Sequence, residues 1–496
     1  MTKGLPFMTE NRNSIVKNVF HLFYSTALSS IMNAAALIVL ASFIHSDDYG
    51  RFSVVLAFAM IMAYLSEAGL NQIVLREGAK KEAPIPEIMA SFIKLRLALT
   101  LATMVIGFLL IHWIYQNDTE LIILSYCLIF PLVTGISMQS ISITYFQMLE
   151  KMQYSGLIRI ISAGLLITVI MVGKWFYIDP MIVFFLYGSS YFLAGCFGIY
   201  LTAKNLTFSF KSSFYKGLRK NWVPFMVTGL LFILLPHIGP IVLEQTLAWK
   251  EVGYFAVAYR IPQALQQVPF IIAGAFYPVL FRLFQAGDHL EHVRKSILQV
   301  KLMGFVGMLA AIPFYHLSAF VIALLFGERW MEAAFLLKVL SLVMVFQGVS
   351  IALGDGLTTR ALQSRRMIIQ AIAVASGVLF YTVFSRFYGL TGAATAGVLI
   401  ELVLLFGLLF WHPDRTILFK RAVFPYLSSF FLSLLAIELF LSSFPILAFC
   451  IHFILILSLA GLDKEWRKKS MEIWRKSPLY QKWKVKFRKE AHDGVS

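Results

Sequence analysis

Charge is scarce in this 496-residue chain: Asp, Glu, Lys and Arg make up 14% of it, against 59% hydrophobic residues. A water-soluble domain cannot hide that much apolar surface, so lipid must cover it. Cysteine is scarcer still, at three, and Cys127, Cys196 and Cys450 lie far apart inside apolar runs. That excludes a disulfide framework and a CxxC metal site, and leaves three small buried hydrophobes. Acidic residues number 26 against 43 basic ones, for a formal net charge of +17. No polar connection is long enough to fold as a soluble domain; the longest runs from about 204 to 221. That argues against the appended domain or large outer loop that an envelope polymerase or ligase needs. No GxxxxGK(S/T) phosphate loop is present, so ATP hydrolysis by that route is excluded.

What is present is a ladder of about fourteen apolar runs. They cover 19–44, 52–75, 88–115, 120–147, 156–176, 180–203, 222–247, 252–281, 295–319, 332–358, 367–387, 391–411, 422–443 and 444–462. About 20 apolar residues cross a bilayer as a helix, because 1.5 Å of rise per residue must span roughly 30 Å of hydrocarbon. The first run is too long for a signal-peptide core of about 7–15 residues, and reads as a membrane helix. The fold class expected is an all-α polytopic membrane protein.

Lys and Arg gather in every second connection. Lys3, Arg12 and Lys17 precede the first run, and Arg76, Lys80 and Lys81 follow the second. Lys204, Lys211, Lys216, Arg219 and Lys220 follow the sixth, and Arg360, Arg365 and Arg366 the tenth. The odd connections are poorer, with Arg51, Lys174, Lys250, Arg329 and Arg386. Positive loops stay on the cytoplasmic side, so both termini are expected there. The same pattern accounts for the net charge, and nucleic acid is not an expected partner.

The ladder carries an internal echo. DDYGRFSVVLAF begins at Asp47 and KEVGYFAVAYRI at Lys250. QMLEKMQYSGLIRIIS (147–162) is echoed by ALQSRRMIIQAIAVAS (361–376). Both offsets, roughly 200–215 residues, equal six helices, which keeps the halves parallel about an axis along the membrane normal. The expected domains are a six-helix bundle (1–203), a linker (204–221), a second six-helix bundle (222–411), two extra helices (412–462) and a basic tail (463–496). In that tail Trp466, Ile473 and Trp474 fall on one helical face before Pro478, which reads as an interfacial helix on anionic lipid.

On four segments the chain resembles the polysaccharide transport, or Wzx-like, flippases of the multidrug/oligosaccharidyl-lipid/polysaccharide exporter superfamily. These are DDYGRFSVVLAFAMIMAYLSEAGLNQIVLR (47–76), EVGYFAVAYRIPQALQQVPFIIAGAFYPVL (251–280), LSAFVIALLFGERWMEAAFLLKVLS (317–341) and FYGLTGAATAGVLIELV (387–403). Glu67 stands where that family more often shows Asp, and an Asn is missing near residue 376. The resemblance implies a V-shaped pair of bundles whose first, second, seventh and eighth spans line a central cavity. It implies no covalent chemistry and no cofactor. The implied cargo is an undecaprenyl-diphosphate-linked oligosaccharide in a bacterial cytoplasmic membrane, with a polysaccharide polymerase and chain-length machinery as implied partners. A multidrug-type antiporter shares the two-bundle fold and is the alternative.

A diphosphate cargo needs cations, and a charge at mid-membrane needs a partner or water. The deep charges are Glu67, Arg260, Lys301, Asp355 and Glu401. Arg260, beside Pro262, is either a cavity cation or half of a structural pair with Glu244. Glu67 and Asn71, one turn apart, are expected on one face. Arg76, Lys94, Arg96 and Arg159 either snorkel to headgroups or receive the diphosphate. Glu401 and Asp355 are candidate ion-coupling carboxylates, and Lys301 is either part of that set or a structural partner of Glu401. His237, among Pro236, Gly239 and Pro240, marks an expected bend in the seventh span. His289 and His292 are placed in a loop with too few neighbouring ligands for a metal.

Overall fold

The computed structural model describes residues 12–80, 83–206, 214–219, 222–463 and 467. The tail expectation therefore lies almost entirely outside the described residues. The first half contains α1 (Arg12–Phe43), α2 (Ser46–Glu67), α3 (Leu70–Gly78), α4 (Ile85–Ile114), α5 (Thr119–Met148), α6 (Met152–Trp175) and α7 (Pro180–Asn205). A short 3-10 turn, Lys216–Arg219, leads to the second half. There follow α8 (Trp222–Leu243), α9 (Trp249–Leu265), α10 (Gln267–Gln285), α11 (His289–His316), α12 (Ser318–Phe326), α13 (Glu332–Thr359) and α14 (Gln363–Phe410). The chain closes with α15 (Arg415–Leu418), α16 (Phe424–Leu441) and α17 (Pro445–Leu462). No strand occurs among the described residues. Here the near face is the one where α1 starts, and the far face the one where it ends.

Thirteen of these helical stretches are long and apolar enough to cross a membrane, and one of them counts twice. The 48 residues of α14 would extend about 72 Å if straight, more than twice the hydrocarbon thickness. Gly389 breaks it, with φ 56° and ψ −136°, a conformation open essentially to glycine. Eight residues apart in a straight helix, Phe384 and Gly392 would be about 12 Å distant; here a Cβ on Gly392 would strike the Phe384 carbonyl. The chain doubles back, giving two arms and fourteen spans.

Helix starts are set by short polar side chains. Asp118, Asp179 and Asp288 accept hydrogen bonds from the N–H groups of Leu121, Met181 and Glu291 at 2.9, 2.9 and 3.1 Å. Ala68 and Gly69, with φ 48° and 71°, interrupt the second span between α2 and α3. In the eighth span α9 passes into α10 at Gln266, which keeps helical φ −56° and ψ −22°, and Pro262 lies inside α9. Likewise α8 runs unbroken through Pro236 and Pro240.

Small residues let helices approach backbone to backbone in each half. A Cβ on Gly135 or Gly188 would strike the facing backbone between α5 and α7. Gly307 and Gly348 do the same between α11 and α13. The extra helices are tied to the second half by polar contacts. Lys301 Nζ lies 2.7 Å from Asp463 Oδ2, Lys338 Nζ 2.8 Å from Glu438 Oε1, and His316 Nε2 3.0 Å from His452 Nδ1.

Candidate transport cavity and its charged residues

The two halves meet at the far face through the echoed motifs, and toward the near face Trp222 Nε1 donates to the Ala68 carbonyl at 2.6 Å and Tyr64 OH to the Met226 carbonyl at 3.1 Å. Gly50 opens α2 against the Trp249 carbonyl, and Gly253 in α9 lies against the Ser46 carbonyl; a Cβ on either would overlap that backbone. The 327–331 turn of the second half reaches across to α1. Trp330 Nε1 and Arg329 Nη2 both donate to the Ala41 carbonyl, at 2.9 and 2.7 Å. The buried indole meets Tyr49 of one half and Tyr254 of the other edge-on, at 5.6 and 5.8 Å between centroids. Arg51 completes the seal, 2.7 Å from Glu120 and over the Trp249 ring.

Below this seal, α9 presents Arg260 toward the first half. Its Nη1 donates to Gln263 Oε1 at 2.9 Å, and its Nε is buried without an acceptor. Tyr49 of α2, Tyr187 and Tyr191 of α7 and His237 of α8 surround it within electrostatic reach. The structural pair with Glu244 does not form. Glu244 lies near the far face, where Tyr115 OH donates to its carboxylate at 2.5 and 2.7 Å and Gln245 Nε2 at 3.2 Å. Among the described residues no carboxylate stands within ion-pair distance of Arg260. His237 Nδ1 bonds the Ile233 carbonyl at 2.8 Å, a contact within its own helix.

A second charged cluster lies inside the first half, toward the near face. Arg96 of α4 is fully buried, with Nη1 3.9 Å from Glu67 Oε2 and Nε donating to Ser137 Oγ at 3.0 Å. Arg159 of α6 also acts on Glu67 electrostatically, and its Nε is buried without an acceptor. Arg96 therefore does not snorkel: it is enclosed beside the partly buried Glu67, while Arg159 is half-buried near the same carboxylate. Asn71 does not share a face with Glu67, because the Ala68–Gly69 break lies between them. Its amide exchanges hydrogen bonds with Ser140 instead, at 2.8 and 3.1 Å.

The third set is inside the second half. Glu401 and Gln347 border a cavity of about 40 Å³ together with Tyr259, Gln266, Ser350 and Gln370. Gln347 Nε2 is 3.4 Å from Glu401 Oε1, while Glu401 Oε2, Gln370 Oε1 and Ser350 Oγ are buried without partners. Such a space holds a water, and its lining combines these polar groups with the Arg366 guanidinium and apolar side chains such as Phe232 and Leu404. Lys301 is not there: its ion pair is with Asp463, beside Tyr426. Asp355 accepts from Gln299 at 2.9 Å and lies 3.6 Å from Arg366.

Sequence reasoning passed over three residues. Trp330 and Arg329 served only as part of a recognisable segment, because nothing local announces a bond 288 residues away. Glu77 is a buried anion that pairs with Arg76 and Lys80 and accepts from Tyr215 OH at 3.0 Å, holding the inter-bundle linker on α3. His292 is not in a loop; it is buried on α11, 3.1 Å from Thr359 Oγ1.

A family model described as "Polysaccharide biosynthesis protein" matches residues 15–284. No curated protein matches the chain. Among solved structures, a lipid II flippase MurJ in an inward closed conformation aligns with TM-score 0.64 and 15% identity, over 88% of this chain and 98% of that one. A multidrug resistance MATE family transporter of the MOP superfamily, inward-facing, aligns with TM-score 0.66 and 18% identity, over 79% and 96%. An outward-facing structure of such a transporter aligns with TM-score 0.59 and 17% identity, over 82% and 96%. At these identities the likeness concerns the fold, which is that of the MOP exporters: two six-helix bundles, here with two further helices. With more than half of its length matched by the family model, the chain belongs to the polysaccharide biosynthesis protein family.

Proposed function

We propose that this protein is a transporter that moves an undecaprenyl-diphosphate-linked oligosaccharide across the bacterial cytoplasmic membrane by alternating access. The near face is cytoplasmic, as the positive loops require, and so are both termini. The carrying observation is Arg260: a guanidinium between the bundles with no carboxylate partner among the described residues, flanked by tyrosines. A fixed cation in a low-dielectric site favours a diphosphate, and tyrosine rings and hydroxyls suit sugar faces and hydroxyls. Arg96 and Arg159 supply further cationic character toward the side from which the cargo is taken. A polymerase and its chain-length machinery would receive the product.

The Glu401 chamber is the coupling site of this reading, with Asp355 on its near-face side. A carboxylate buried in such a chamber takes up a proton and is neutralised by it.

The test is export in cells whose own copy has been deleted. With Arg260→Ala, lipid-linked units accumulate on the cytoplasmic face while protein level and membrane insertion stay normal; Arg260→Lys retains part of the activity. Glu401→Gln keeps cargo binding but loses its response to an imposed ion gradient in proteoliposomes. Unchanged leaflet distribution with shortened polymer would instead mark an enzyme. Efflux of cationic drugs without any glycan phenotype would mark a multidrug antiporter.

A further inference from the structure

A groove of about 500 Å³ opens on the near face where α14 ends and α15 begins. Arg365, Phe410, Trp411, His412, Pro413 and Arg415 line it. Its two guanidiniums are held in place: Arg365 Nη1 donates to the Trp411 carbonyl at 3.1 Å and Arg415 Nη1 to the Phe410 carbonyl at 3.3 Å. The Arg415 plane also lies over the Phe410 ring, 5.2 Å from its centroid. Each guanidinium keeps its remaining N–H groups for another acceptor. The one carboxylate in this turn, Asp414, is taken by Arg360, which also lies 3.4 Å from the buried His292. No described carboxylate pairs with Arg365 or Arg415. The floor is rigid, because His412 is buried and its Nδ1 accepts the Asp414 N–H at 3.1 Å. Exposed Phe410, Ile417, Phe419 and Phe424 form an apolar shelf in the segment that carries the groove, where α14 ends and α16 begins.

We infer that this groove is a phosphate site that takes the headgroup of an anionic phospholipid, the two guanidiniums on the phosphate and the acyl chains along the shelf. Two pre-positioned forks facing one space suit an oxyanion, and among the described residues no carboxylate neutralises either. The shelf distinguishes a lipid from a soluble phosphate, for which an apolar border offers nothing. The site lies outside the inter-bundle cavity, and its occupation would bridge the second bundle to the extra helices at their junction.

The experiment uses the full chain purified in mild detergent. Thermal midpoints and native mass spectra are recorded with phosphatidylglycerol, phosphatidylcholine or inorganic phosphate added. Phosphatidylglycerol is expected to raise the midpoint and remain bound, and phosphatidylcholine to do neither. Arg365→Gln/Arg415→Gln keeps donors for the two carbonyls but removes both charges. It is expected to bind phosphatidylglycerol roughly thirty-fold more weakly. Lys420→Gln/Arg421→Gln removes the same charge next to the groove and is expected to bind as the wild type does. Equal loss in both double variants would reduce the effect to general surface charge and overturn the site. Undiminished binding in the Arg365/Arg415 variant would overturn it as well. A shift with inorganic phosphate equal to that with lipid would keep the oxyanion site but overturn the lipid assignment.

Discussion

Arg96 illustrates how a single buried charge constrains its neighbours. It is fully enclosed, its strongest hydrogen bond is to Ser137, and Glu67 is its counter-charge. Removing one member of such a pair leaves the other uncompensated. Glu67 retains 21% exposure and Arg159 still acts on it, so Arg96→Ala is expected to cost about 3 kcal/mol, the low end for such a loss. Glu67→Gln in the same chain should return part of that, because the uncompensated anion is gone; thermal midpoints of the two single variants and the double check it. His412 makes the corresponding case for protons, outside the spans. Burial pushes its pKa down to about 3, with Arg360 and His292 adding to the effect. An unfolded histidine titrates near 6.5, so below that pH the unfolded chain binds a proton that the folded one refuses. The stability contribution is complete above about pH 6.5 and is lost as the pH falls toward 3. The midpoint should therefore drop between about pH 7 and pH 5 more steeply in the wild type than in His412→Gln.

Among the elements, the heads of α2 and α9 decide whether the far face is closed. Both begin with an acidic residue two or three positions before a glycine, and the absent side chains let the two backbones touch. Gly50→Ala or Gly253→Ala places a methyl group into a facing carbonyl, so the helix heads must separate. Trp330→Phe keeps most of the ring packing but removes one of the two donors to Ala41. Each change is expected to expose the inter-bundle space at the far face while leaving helix content unchanged. A cysteine introduced at Ala57 and an impermeant maleimide read this: faster labelling than in the parent supports the seal, and equal rates with a properly folded protein refute it. The interrupted second span belongs to the same scale. Its break at Ala68–Gly69 divides it into a packed far-face segment and a separate near-face segment.

At the scale of the whole molecule, the number of crossings and their alternation follow from hydropathy and loop charge, both of which act along the chain. The two-arm form of α14 was legible too, because no bilayer accommodates a 48-residue straight span and Gly389 stands where the turn must come. The sequence by itself therefore determined an α-helical membrane protein with an internal repeat, since lipid solvation and backbone hydrogen bonding leave few other forms for such a chain. It also placed Glu67, Arg260, Lys301, Asp355 and Glu401 within apolar runs, because position along such a run is read from the chain itself. Only the tertiary structure decided how those charges pair. Glu244 went to Tyr115, Lys301 to Asp463 and Arg96 to Glu67, and Arg260 has no counter-anion among the described residues. Partner choice depends on distances of a few ångströms between helices remote in sequence, and helical periodicity carries no information about which helix lies opposite.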